Sequence, residues 1–130
     1  MGLGGSTMIW LMVAVGGGLG SVLRYAAHRV AASYAGPDTV MGTLAVNLAG
    51  SFALGFFLTL VLGRFPVSNE IRTFLTFGFL GGFTTFSTLS YQTVNLLEGG
   101  FFISALGSLA ANVILGLAVA YGGVALARTV

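Results

Sequence analysis

The reading of this chain turns on Gly78-Phe79-Leu80-Gly81-Gly82-Phe83-Thr84-Thr85-Phe86-Ser87-Thr88-Leu89-Ser90. The stretch lies inside an apolar segment long enough to cross a bilayer. It nevertheless carries two adjacent glycines and then a run of hydroxyls where a membrane helix would hold Leu, Ile and Val. Glycine costs about 1 kcal/mol against alanine in a helix interior, and Ser and Thr hydroxyls compete for the backbone groups of the helical ladder. A break within 80–85, at Gly81-Gly82, is therefore expected. Carbonyls and amides freed by such a break cannot face lipid, so they must turn toward protein, an ion or a water-filled path. Broken membrane helices point to the handling of ions or substrates.

Composition places the segment in context. The 130 residues include five arginines, no lysine, three acids and no cysteine, and more than half are hydrophobic. At roughly 20 residues per crossing, the length allows four spans and leaves little for a soluble domain. The expected architecture is an all-α membrane protein, one four-helix domain over 1–130, with spans at about 8–33, 41–62, 71–97 and 101–127. Met1 to Thr7 reads as a short tail. The absence of cysteine excludes a disulfide framework and thiolate chemistry. The small, scattered excess of arginine does not suggest a nucleic-acid surface.

Each span carries polar or small residues at helical spacing. In the first, Gly16 and Gly20 have the spacing that lets another backbone approach closely. Arg24 follows, deep enough in the span to be either a snorkelling anchor or an anion-attracting residue at a pore mouth. His28 reads as a surface residue with no partner ligand in sight. In the second span Thr43, Asn47, Ser51 and Gly55 recur every four residues and form one stripe. Asn47 is open to two readings, a hydrogen bond between helices or a donor to an anion on a permeation path. The second half of the third span offers Thr84, Thr88 and Gln92 on one row and Ser87, Tyr91 and Asn95 on the next, as suits a wetted face. The fourth has Ser104, Ser108, Asn112, Gly116 and Ala120, read as packing.

Two broader features bear on assembly. The chain has no internal repeat, whereas transporters of inverted architecture usually hold two related halves. Arginines are divided almost evenly, with Arg64, Arg72 and Arg128 toward one face and Arg24 and Arg29 toward the other, so the positive-inside bias is weak. Insertion in both senses is expected, with two opposed copies supplying the inverted repeat.

The motifs Gly20-Ser21-Val22-Leu23-Arg24, Gly42-Thr43-Leu44-Ala45-Val46-Asn47-Leu48 and Gly81-Gly82-Phe83-Thr84-Thr85-Phe86-Ser87-Thr88-Leu89-Ser90 resemble those of the Fluc (CrcB) family of fluoride channels, in the family's order and over the whole chain. The resemblance implies an antiparallel, dual-topology homodimer in the inner (plasma) membrane, crossing the lipid several times in each copy. It implies two pores for passive export of cytoplasmic fluoride and a central sodium ion that is structural and not transported. Sodium would be held by the carbonyls of Gly81 and Thr84 from each copy. Asn47 would donate to fluoride, Ser87 and Thr88 would supply hydroxyls, Phe86 would offer its positive ring edge, and Arg24 would concentrate anions at the vestibule. Two positions depart from the family pattern. Leu89 stands where many members have a second Phe, and Gln92 where many have Glu.

Competing classes fare less well. A small multidrug-type exchanger also has four spans, but its chemistry needs a carboxylate within the membrane. Asp38, Glu70 and Glu98 all fall in loops or at helix ends, and one His with no embedded acid gives an enzyme nothing to build from. An accessory subunit would show no ion flux in liposomes.

Overall fold

A computed structural model describes residues 3–130, and it is helical almost throughout. Helix α1 spans Leu3–Ala35 and α2 spans Met41–Gly63. The third expected crossing is divided into α3, residues 69–83, and α4, Phe86–Glu98. Helix α5 covers Phe102–Thr129. Leu3 to Thr7, expected as tail, belong to α1, while Met1 and Gly2 lie outside the described residues. Among the described helices α1, α2 and α5 are each long and apolar enough to cross a membrane. Neither α3 nor α4 is, so the expected span 71–97 exists only as a pair.

Chain reversals follow from local chemistry. Gly36 and Gly100 take positive φ, 93° and 80°, a region costly for residues with a Cβ. Ser68 caps α3 by accepting from the Ile71 N–H at 3.3 Å, and Glu70 occupies its first turn, where a negative charge suits the helix dipole.

Packing is organised by backbone approach. Helix α1 lies along α3 through two facing glycine pairs, Gly16 against Gly78 and Gly17 against Gly82, with Gly20 against the backbone of Phe79 and Phe83. A Cβ on Gly16 would lie 2.6 Å from the Phe74 carbonyl oxygen, and one on Gly82 would lie 2.5 Å from that of Gly17. Helix α2 lies along the second half of α5 in the same manner, with Gly55 against Ala120 and Gly123 against Phe52. With no hydrophobic force to drive association in lipid, this close contact is what small residues contribute.

The break falls within the expected 80–85 but not at Gly81-Gly82. Gly81–Phe83 is helical, and the chain becomes extended at Thr84 (φ −86°, ψ 160°) and Thr85 (φ −155°, ψ 119°). Gly82 serves contact with Gly17 instead of unwinding. Upstream, Phe74–Leu80 forms a widened π-helical turn, in which the Gly81 N–H donates to the Thr76 carbonyl. A second widened turn, Ala111–Leu115, interrupts α5. Such turns insert an extra residue into the helix and are frequent at functional sites.

Candidate functional site

Breaking a helix at Thr84 and Thr85 strands backbone groups, and the structure accounts for those of Thr85 one by one. Its N–H donates to Asn47 Oδ1 at 2.8 Å, and its carbonyl accepts from Asn47 Nδ2 at 3.0 Å. Its hydroxyl oxygen accepts from the Thr88 N–H at 3.2 Å, capping α4, and the hydroxyl donates to Thr88 Oγ1 at 3.0 Å. Thr85 is only 6% exposed. Burial without these partners would cost about 1–3 kcal/mol per group.

Asn47 is thereby fixed. Its second amide proton goes to Asn112 Oδ1 at 2.9 Å, so both protons are engaged. Asn112, 7% exposed, donates in turn to the Ser108 carbonyl at 2.9 Å. The α5 row read as packing thus delivers a buried amide to the centre of the molecule. An Asn amid small apolar residues was the available signal, since a buried amide must find partners.

The same bonds release a carbonyl. In an unbroken helix the Thr85 N–H would donate to Gly81, four residues back. Its diversion to Asn47 leaves the Gly81 carbonyl without that donor. Thr84 turns back on its own helix, its N–H and hydroxyl each donating to the Leu80 carbonyl at 3.0 Å. Gly81 is exposed and Thr84 half-buried.

A cavity of 340 Å³ opens beside the break. Asn47, Ser51, Thr76, Gly81, Thr84, Thr85, Phe86 and Asn112 line it, so both widened turns and both expected cation ligands meet there. Phe86 is 76% exposed on the single chain. Leu89, buried, also borders this cavity. Ser87, exposed, brings its hydroxyl within 3.4 Å of Thr85 Oγ1. Thr88 belongs to a second cavity, of 650 Å³, along with Tyr91, Gln92, Asn95 and the Asp38 turn. Gln92 Oε1 is buried there with no hydrogen-bond partner. The Thr85–Thr88 hydroxyl pair stands between the two cavities.

Two residues of the first span lie elsewhere. Arg24 borders neither cavity and is half-buried on α1. His28, expected at the surface, is a bridge between helices. Its Nδ1 pairs with the Arg24 carbonyl at 2.8 Å and its Nε2 with Thr43 Oγ1 at 3.2 Å, with the ring against Gly42. The acids are peripheral, Asp38 in the first turn region, Glu70 at the start of α3 and Glu98 at the end of α4. Among the described residues no three His, Cys, Asp or Glu side chains converge to hold a metal.

The chain is 46% identical over 118 residues to a Rhizobium etli protein named Fluoride-specific ion channel FluC, covering 91% of this chain and 94% of that one. Proteins of the same name from Geobacter sulfurreducens and Sulfurihydrogenibium sp. are 45% and 38% identical, over 91% and 92% of this chain and 95% and 96% of theirs. Residues 11–124 match the family model described as CrcB-like protein, Camphor Resistance (CrcB), and the chain, with its apolar spans and its broken third crossing, belongs to that membrane-protein family.

Proposed function

We propose that the chain is a fluoride-specific channel that lets cytoplasmic fluoride leave passively across the inner membrane. The family is one of ion channels, and the chain is not an enzyme. The observation that carries the reading is the break at Thr84-Thr85, held by Asn47 beside a cavity whose mostly apolar walls carry the polar side chains of Asn47, Ser51, Thr84, Thr85 and Asn112. A small, tightly hydrated anion needs donors that replace its water and still let it go. Asn47 donates through the amide proton that is not paired with Thr85. Ser87 and Thr88 continue the hydroxyl path toward the second cavity. Phe86 offers its ring edge, and Arg24 raises the local anion concentration from the vestibule.

Assembly completes the site. Two copies inserted in opposite senses meet at the broken crossing as a homodimer and form two pores, a reading supported by the exposure of Phe86 and Gly81 on one chain. The donor set at the junction fits sodium, since carbonyl oxygens suit a hard cation and Gly81 has lost its helical donor. One copy offers two such carbonyls, Gly81 and Thr84, too few to enclose the ion, and the opposed copy offers the same two. Bound there, sodium ties the two breaks together and is not transported.

Efflux from liposomes containing the purified protein tests the function. Fluoride should leave rapidly with little chloride, and equal rates for the two anions would refute the assignment.

A further inference from the structure

Asn47 has two protons and one oxygen to offer, and two of the three are committed to Thr85. Breaking that pair would strand a buried backbone group. Only the proton pointing at Asn112 Oδ1 can be exchanged without doing so. Asn112 is fixed in its turn, because its Nδ2 donates to the Ser108 carbonyl, and rotating the amide would set oxygen against oxygen there. A buried neutral acceptor is therefore held permanently at 2.9 Å from the one available donor.

We propose that Asn112 sets how loosely the path holds its anion, by competing with the permeating ion for this proton. The inference rests on the reading of the chain as a fluoride channel with Asn47 as a donor. A hydrogen bond to a charged acceptor is roughly twice as strong as one between neutral groups. Fluoride, with its charge concentrated on a small ion, exchanges favourably with the Asn112 oxygen. A larger halide is a weaker acceptor and displaces it poorly. The bond to Asn112 subtracts the same amount from the binding of every anion that displaces it, so Asn112 keeps fluoride weakly enough held to leave.

The test uses full-length protein in liposomes, measuring fluoride and chloride efflux from the same preparations. Asn112→Leu keeps a similar volume and removes the acceptor. Half-saturating fluoride should fall about five-fold, the equivalent of one neutral hydrogen bond, with the chloride-to-fluoride ratio unchanged. Asn112→Asp places a charged competitor on the same proton and should abolish fluoride flux. Asn112→Ser, with a shorter acceptor, should give an intermediate half-saturating fluoride and serves if the Leu variant does not reconstitute. Half-saturating fluoride unchanged or raised in Asn112→Leu or Asn112→Ser would reduce Asn112 to packing, and normal conduction in Asn112→Asp would also overturn the proposal. Asn47→Ala separates the two readings. Selective fluoride flux in that variant removes Asn47 as donor, whereas loss of flux there with unaltered half-saturating fluoride at position 112 removes only the competition.

Discussion

Asn47 and Thr85, 38 residues apart in sequence, are joined as neighbouring strands are joined. The side-chain amide of one meets both the N–H, at 2.8 Å, and the carbonyl, at 3.0 Å, of the other. A side chain here substitutes for a missing turn of helix. The break is thus a satisfied structure, and its cost in lost helical bonds is offset by a residue from α2 and a cap from Thr85 itself.

The glycine pair makes contrasting predictions. Gly82→Ala would drive a Cβ to 2.5 Å from the Gly17 carbonyl oxygen, backbone that cannot yield, whereas at Gly81 the nearest atom is 3.5 Å away. Thermal unfolding in detergent should show Gly82→Ala destabilised by about 1–3 kcal/mol, the usual range for overpacking. Gly81→Ala should fold with a stability near wild type. Equal losses at the two positions would show that the glycines are needed for unwinding after all.

Thr85 caps α4, so its hydroxyl and its methyl can be separated. Thr85→Ala removes the acceptor for the Thr88 N–H and should cost about 1 kcal/mol, while Thr85→Ser keeps the cap and should cost less. Chemical denaturation followed by helical circular dichroism would read the difference. A Ser variant as unstable as Ala would assign the effect to packing of the methyl group.

Sodium at the junction predicts dependence of flux on that ion. With sodium replaced on both sides by N-methylglucamine, too large for a ring of carbonyls, fluoride efflux should fall about tenfold or more as the cation dissociates. Restoring sodium should restore the rate. Efflux unaffected by prolonged removal would leave Gly81 and Thr84 without a cation.

Much of this architecture was legible in the chain. Apolar length gave the crossings, Gly36 and Gly100 punctuated them, and the motif at 81–90 located a break to within a few residues. What local sequence does not hold is the partner of each group. Gly82 looks like a helix breaker until Gly17 is found against it, 65 positions earlier. Thr84 and Thr85 take extended backbone because Asn47 is there to receive it, and nothing in their own neighbourhood specifies that. Asn112 lay within a row of small residues whose spacing suits packing, and only the placement of α5 beside α2 brings it to Asn47. His28 was likewise misplaced at the surface because Thr43 and Gly42 were not visible as its neighbours. The two widened turns leave no periodic signature, since one added residue is lost in a run of apolar ones.

The clamp on the break is the centre of this account, and Asn47→Ala tests it most directly in paired measurements on one preparation, fluoride efflux from liposomes and hydrogen exchange at the Thr85 amide. Losing the donor and the clamp together should slow fluoride by about 10- to 100-fold, the worth of a hydrogen bond to a charged group, and should expose the Thr85 N–H to exchange. A variant that passes fluoride at the wild-type rate, still excludes chloride and keeps the Thr85 amide protected would contradict it.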